Sequence, residues 1–274
     1  MRVKHRFVFN SDNTKLIKLL DRYNVAYAPG ETLTILELFE DDPHYYEVLK
    51  FLTAHGIRQT LWEAVYSQNE IDAVQWLSCR STWRYGYPQP DQENKGYRFS
   101  TYDTTNYCEQ CGKGLVQKEN FILKKEPNWG ARNFLMINWV HDELFVSSKA
   151  ESILKEAGLT GFRFCDVSTR TGDKMPGIKQ LYIENYIDNG LSNESVQNEL
   201  ICSRCGYKRI MQKPGYIYYH KKCFENVSYD IVKSQEKFGE ITCASLIIIS
   251  REFYSILKEN KVDRGLAFEP VILV

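Results

Sequence analysis

Two rhythms of apolar residues run through the first 80 positions. Arg6-Phe7-Val8-Phe9 and Thr32-Leu33-Thr34-Ile35-Leu36-Glu37-Leu38-Phe39 alternate, or carry β-branched residues, in the manner of half-buried strands. Between them Leu16, Ile17, Leu19, Leu20 and Tyr23 recur at helical spacing, with Asn10, Ser11 or Asp12 as candidate N-caps. Val25 to Ala28 is a short apolar run closed by the turn signal Pro29-Gly30. Asp42-Pro43 opens a second helix. A carboxylate there accepts free backbone N–H groups, and proline at the first helical position loses no donor the helix needs. That helix runs to about His55, Gly56 ends it, and Ile57 to Val65 makes a last strand. The order β-α-β-β-α-β predicts a ferredoxin-like unit within an α+β protein.

Ser67 and Glu70 form a capping box for a further helix through Ile71, Val74 and Leu77. From Ser81 to Asn106 the periodicity fades and Tyr85-Gly86-Tyr87-Pro88-Gln89-Pro90 appears. Residues 81–106 therefore read as a linker or ordered loop between an N-terminal domain, 1–80, and a second domain, 107–274.

The second domain contains an internal repeat. Val146-Ser147 aligns with Ile249-Ser250, and Ile153-Leu154-Lys155-Glu156 with Ile256-Leu257-Lys258-Glu259. Leu159 aligns with Val262; after a one-residue insertion Gly161-Phe162-Arg163-Phe164 aligns with Gly265-Leu266-Ala267-Phe268, and Val167 with Val271. Each copy reads strand, capped helix, turn, strand, and each follows a Cys-x-x-Cys-Gly motif, which divides the domain into halves 107–167 and 201–274.

Length and composition add bounds. At roughly 150 residues per domain, 274 residues hold about two domains. Lys and Arg total 35 and Asp and Glu total 35, a balance that argues against gripping nucleic acid by bulk charge. No apolar run is long enough to span a membrane, and the N-terminal residues lead into no secretory segment, so a cytoplasmic, membrane-free protein is expected. In that compartment the eight cysteines stay reduced, and paired ones read as metal ligands rather than disulfides.

Cys108-Glu109-Gln110-Cys111-Gly112 and Cys202-Ser203-Arg204-Cys205-Gly206 supply two such pairs. A Cys-x-x-Cys turn makes two sulfurs converge. The glycine after it permits a left-handed backbone, so that N–H groups can point at the thiolates. Four sulfurs suit one tetrahedral Zn²⁺ per chain, with Cys108, Cys111, Cys202 and Cys205 as its ligands. They leave no open position for water, which makes the ion structural rather than catalytic. The motifs lie 91 residues apart, so the ion would clasp two halves rather than fold a small finger. Cys79, Cys165 and Cys243 read as small core residues, and His220 with Cys223 has ligand types at usable spacing.

No catalytic motif stands out. His141-Asp142-Glu143 upstream of Cys202 superficially matches the pattern of zinc deaminases, but Ile201 replaces the proline of that pattern and the flanking residues read as strands, so a turn or strand end is expected. Charge is locally uneven. Six acids and no base lie between Glu31 and Glu47; Glu37, Asp41 and Asp42 are candidate contacts for a basic partner, set against a plain solvated face. Six bases and no acid lie between Arg204 and Lys222, with Tyr207, Tyr216, Tyr218 and Tyr219 available to stack bases in a nucleic-acid contact.

The two CxxCG motifs, the Trp139…Leu144-Phe145-Val146-Ser147 segment and the terminal Phe268-Glu269-Pro270-Val271 resemble those of the bacterial double-CXXCG motif proteins, over roughly Tyr97 to Val274. Glu143 to Val167 is also similar to a module of other toxin-immunity families. The resemblance implies a non-enzymatic protein that binds and neutralises a cognate toxin. The other expectations are a zinc-ribbon-type nucleic-acid-binding protein and, behind it, a zinc-dependent hydrolase or deaminase.

Overall fold

In the computed structural model, which describes residues 1–91, 96–240 and 243–274, the first strand, β1 (Arg2–Asn10), turns Val3, His5, Phe7 and Phe9 inward and Lys4, Arg6 and Val8 outward. It is followed by α1 (Thr14–Arg22), β2 (Tyr27–Ala28), β3 (Leu33–Phe39), α2 (Tyr45–Ala54), β4 (Gln59–Val65) and α3 (Gln68–Asp72). These strands form one antiparallel sheet in the order β2-β3-β1-β4. Leu16 and Leu20 of α1 and Val48 and Leu52 of α2 are buried with Phe7, Phe9, Leu36 and Leu38 in a single core. The chain as a whole is mixed α+β, mostly sheet, with six α-helices among the described residues. It divides into two compact units, Met1–Asp72 with Pro214–Tyr216, and Ala73–Lys213 with Ile217–Val274.

Local details of the first unit differ from the sequence reading. The N-cap of α1 is Asn13, whose Oδ1 accepts the Leu16 N–H at 3.1 Å, while Ser11 donates its hydroxyl to the Gly30 carbonyl. α2 begins at Tyr45 rather than Pro43, and Asp42 Oδ1 accepts the His44 N–H at 2.8 Å. The Ser67–Glu70 capping box forms, with N–H to side-chain distances of 2.8 and 3.3 Å, but its helix stops at Asp72. Leu77, expected on that helix, is fully buried in a strand paired on both edges, where ladder bonds and packing on either side outweigh helical spacing.

The second unit is assembled from two equivalent runs. The first is β5 (Trp76–Ser81), β6 (Arg84–Tyr85), α4 (Tyr97–Thr101), β7 (Tyr102–Asp103), β8 (Val116–Gln117), β9 (Phe134–Ile137), β10 (Leu144–Ser147), α5 (Ser148–Glu156) and β11 (Phe162–Ser168). The second is β12 (Lys174–Ile183), β13 (Tyr186–Ile187), β14 (Val196–Ile201), β15 (Lys208–Gln212), β16 (Ile217–Tyr219), β17 (Ile231–Ser234), β18 (Ile247–Ser250), α6 (Arg251–Glu259) and β19 (Leu266–Leu273). The stretch 81–106 thus contributes β6, α4 and β7; its residues 92–95 lie outside the described residues.

Two sheets result, β11-β12-β10-β9-β6 and β13-β17-β18-β5-β19-β16. In each, the strands flanking the helix are separated by one antiparallel strand, and that strand comes from the other run: β12 lies between β10 and β11, and β5 between β18 and β19. The registers coincide. Val146↔Lys179 and Ser147↔Ile178 recur as Ile249↔Leu77 and Ser250↔Trp76, and Phe164↔Leu181 recurs as Phe268↔Cys79. At the far edge Arg84↔Met136 recurs as Tyr186↔Lys233, both parallel. The duplication therefore spans Trp76–Ser168 and Lys174–Leu273, and the copies exchange their first strands.

Shared chemistry explains the shared local form. Ser147 and Ser250 cap α5 and α6, accepting N–H groups from Ala150 and Phe253, and each hydroxyl also meets a side chain, Asn133 or Asp230, at 3.0 Å. Both helices close on a left-handed residue, Gly158 at φ +68° and Lys261 at φ +53°. Gly161 and Gly265 then turn the chain at φ +98° and +104°. The contacts are reciprocal. Asn133 N–H donates to the Arg264 carbonyl at 2.9 Å and Asp230 N–H to the Thr160 carbonyl at 3.1 Å, as across an isologous interface. A Cβ on Gly161 would lie 2.3 Å from the Ile231 oxygen, and one on Gly265 would lie 2.4 Å from the Phe134 oxygen. Gly161→Ala and Gly265→Ala should each destabilise the second unit by about 1–3 kcal/mol, with Gly158→Ala, which meets no atom, costing nearer about 1 kcal/mol. Chemical denaturation of the three variants checks the ranking; equal losses would remove the role of the close carbonyls.

Candidate metal centre

Each CxxCG motif sits at the end of a hairpin, Cys108–Gly112 between β7 and β8 and Cys202–Gly206 between β14 and β15. The backbone folds identically in both. Cys108 N–H donates to the Lys113 carbonyl and Gly112 N–H to the Cys108 carbonyl, each at 2.8 Å; Cys202 N–H to the Tyr207 carbonyl and Gly206 N–H to the Cys202 carbonyl are the counterparts, at 2.9 and 2.8 Å. Gly112 and Gly206 take φ +82° and +69°, the left-handed conformation the motif anticipates.

The four sulfurs lie within 4.8 Å of one another and form a potential metal-binding site. Equivalent cysteines of the two copies approach closely, Cys108 Sγ to Cys202 Sγ at 3.8 Å and Cys111 Sγ to Cys205 Sγ at 3.6 Å. Both distances exceed a disulfide bond, and all eight cysteines are free. A tetrahedral ion with metal–sulfur bonds of about 2.3 Å spaces its sulfurs by roughly 3.8 Å, so the donor set fits zinc. Cys108, Cys111 and Cys202 are buried and Cys205 is exposed. N–H groups of the knuckles prepare the thiolate form: the Cys205 amide holds Cys202 down to about 6, and the Cys111 amide lowers Cys108. Burial, helped by the surrounding thiols, pushes Cys111 up to about 12. Bringing the ligands together therefore costs desolvation that a bound cation offsets.

The remaining cysteines stay apart from this cluster. Cys79 and Cys165 are buried within strands, while Cys243 is half-buried, its Cβ 3.3 Å from where a Gly112 side chain would begin. Cys223 lies in its own turn, Sγ toward the Asn189 carbonyl at 3.7 Å, and neither it nor His220 joins the four.

Several members of the charged runs pair with residues outside their own run. Arg6 opposes Glu37 in the β1–β3 register and bonds to it, as does Lys4 at 3.1 Å, and the Arg6 hydrogen bond lowers the Glu37 carboxyl. Arg2 pairs with Asp41 at 2.7 Å and lowers it in turn. In the basic run, Arg204 meets Glu109, Lys208 meets Glu199, and Arg209 donates to the Gly239 and Glu240 carbonyls. Tyr219 is fully buried with its hydroxyl on Glu236, Tyr216 bonds to Glu70, and Tyr207 lies under the Lys113 ammonium.

Beside the metal centre lies a polar cluster that the sequence reading passes over. His141-Asp142-Glu143 forms the turn before β10, as expected, but Glu143 is buried and pairs with Lys233 of β17 at 2.5 Å. Its other oxygen accepts from Gln180 Nε2 at 3.1 Å. Asp142 accepts the Ser245 N–H at 3.1 Å and meets Lys237 at 3.4 Å. Burial opposes the Lys233 charge, but Glu143 and Asp142 outweigh it and hold the ammonium above its ordinary range. The one sequence signal is the lysine itself, within the otherwise uncharged strand Ile231–Ser234.

Chelating the ion should loosen the second unit, and Cys111→Ser, which removes a fully buried ligand, should abolish stoichiometric metal; metal analysis with a thermal melt reads both, and an unmoved melt would deny the clasp. Lys233→Met alone leaves Glu143 buried and uncompensated, at a cost of about 3–5 kcal/mol, whereas Lys233→Met with Glu143→Leu should cost far less. Denaturation of the pair checks this; equal losses would contradict it.

No protein-family model matches this chain, and no curated protein gives a significant match.

Proposed function

We propose that the chain is a non-enzymatic binding protein clasped by one structural zinc ion, which neutralises a bacterial toxin by protein–protein contact in the cytoplasm. The observation that carries this reading is the convergence of four sulfurs, two from equivalent positions in each copy of a duplicated fold. Cys108, Cys111, Cys202 and Cys205 would hold the ion. Bound there, zinc supplies a cross-link and charge neutralisation rather than an activated water, because four thiolates fill its coordination. The toxin role rests on the likeness of the CxxCG motifs and their order to those of double-CXXCG motif proteins. The first unit, with its β-α-β-β-α-β order and 4-1-3-2 strand arrangement, we read as a ferredoxin-like domain. Its Glu37, Asp41 and Asp42 are the candidate contacts for a basic toxin; Arg6 and Lys4 pair with Glu37 and Arg2 with Asp41.

The test is co-expression with products of neighbouring genes chosen because they arrest growth when expressed alone; finding no such product would also reject the neutralising role. Growth should be restored and the two proteins should co-purify; reversing Glu37, Asp41 and Asp42 together should slow association steeply at low salt. Persistent arrest in the presence of this protein would reject the neutralising role, and an unchanged on-rate would remove those three contacts.

A further inference from the structure

The second unit carries a partly open cavity of about 540 Å³ next to the first knuckle, with Gly112, Lys113 and Cys243 in its lining. Its walls include the aromatic rings of Tyr102, Trp139, Tyr182 and Tyr186, and its lining includes Glu143 and Lys233, 7% and 3% exposed. Burying an ion pair costs several kcal/mol per ion before the two attract, and a well-packed apolar pair often serves stability as well or better.

The duplication supplies an internal control. Lys233 stands where the first copy has Met136, since the Arg84↔Met136 pairing recurs as Tyr186↔Lys233. Glu143, just before β10, stands where the second copy has Leu246, just before β18, and Asp142 where it has Ser245. The same fold is thus built with uncharged residues at these places, so the charges at the cavity are not a requirement of the architecture.

Hydrogen-bond capacity at the cavity is lopsided. Glu143 has both oxygens engaged, by Lys233 and Gln180, and Asp142 Oδ2 takes the Ser245 N–H and Lys237. Among the described residues, the Lys233 ammonium, with three donors, has Glu143 as its one acceptor, and the Lys237 ammonium has Asp142, at 3.4 Å, and lies 5.9 Å from the centre of the Tyr186 ring. Formal charge alone does not choose a ligand, because a divalent ion held by four thiolates beside Gly112 carries about −2 and offsets the excess of cations in the lining. The donor surplus does choose: it selects an acceptor-rich group, and the rings around it select a flat, apolar body.

We propose that this cavity is a binding site for a small aromatic oxyanion, its carboxylate or phosphate received by Lys233 and Lys237 and its ring by Tyr102, Trp139, Tyr182 and Tyr186. The site is separate from toxin neutralisation and stands whether or not that reading holds. Calorimetric titration of the metal-loaded full chain with benzoate, benzyl alcohol and benzylammonium tests it. Benzoate should bind at least about tenfold more tightly than either of the others. The Lys233→Met/Glu143→Leu variant, which installs the residues of the opposite copy, should weaken benzoate by at least about tenfold while keeping its metal and its melting temperature. Lys237→Gln, on a partly exposed side chain, is the second variant and should also weaken benzoate. No benzoate binding, equal affinity for benzylammonium, or benzoate affinity unchanged in both variants would overturn the proposal.

Discussion

Two strands placed in each other's sheets set the terms for everything else in the second unit. β5 begins the first copy yet completes the sheet of the second, and β12 does the reverse, each lying between the two strands that flank a helix. Neither sheet can form without the other copy's strand, so the copies are bound together by main-chain ladders before any metal is considered. Two equivalent hairpins carry the cysteines, and in a reciprocal arrangement equivalent points that approach at all approach as pairs. This is why Cys108 meets Cys202 and Cys111 meets Cys205. The four-sulfur cluster is a consequence of the duplication.

Reciprocity also accounts for which glycines matter. Gly161 and Gly265 allow the strand after each helix to pass a carbonyl of the opposite copy at a distance no side chain tolerates. Gly112 and Gly206 turn the knuckles, each donating its N–H to the carbonyl of the motif's first cysteine. The two pairs do different work, one fitting copy to copy and the other preparing ligands. The copies also differ at the Glu143–Lys233 pair and the cavity it lines, and asymmetry of that kind is what a duplicated scaffold needs to acquire a site of its own.

Much of this was legible in the residues. The Ile-Leu-Lys-Glu tetrapeptides, the serines before them and the CxxCG motifs mark both copies and the ligand set, because helix caps and metal knuckles are local devices with fixed residue requirements. The strand exchange was not legible. Trp76–Ser81 and Lys174–Ile183 share almost no residues, since a strand buried on both sides is specified by its partners more than by its own letters. Leu77 keeps helical spacing with Ile71 and Val74 yet lies in a strand for the same reason. The charge runs misled in a related way: Glu37 lies in an acidic stretch of sequence but between Arg6 and Lys4 in space. Lys233 was missed because nothing within its own strand announces Glu143, 90 residues away.

X-ray absorption at the zinc edge, on protein purified without chelator, tests the central claim most directly. The account expects one zinc per chain with a single shell of four sulfurs at about 2.3 Å and no lighter ligand. A spectrum that needs nitrogen or oxygen in that shell, or protein that carries no zinc, would contradict a clasp made from the two copies' cysteines.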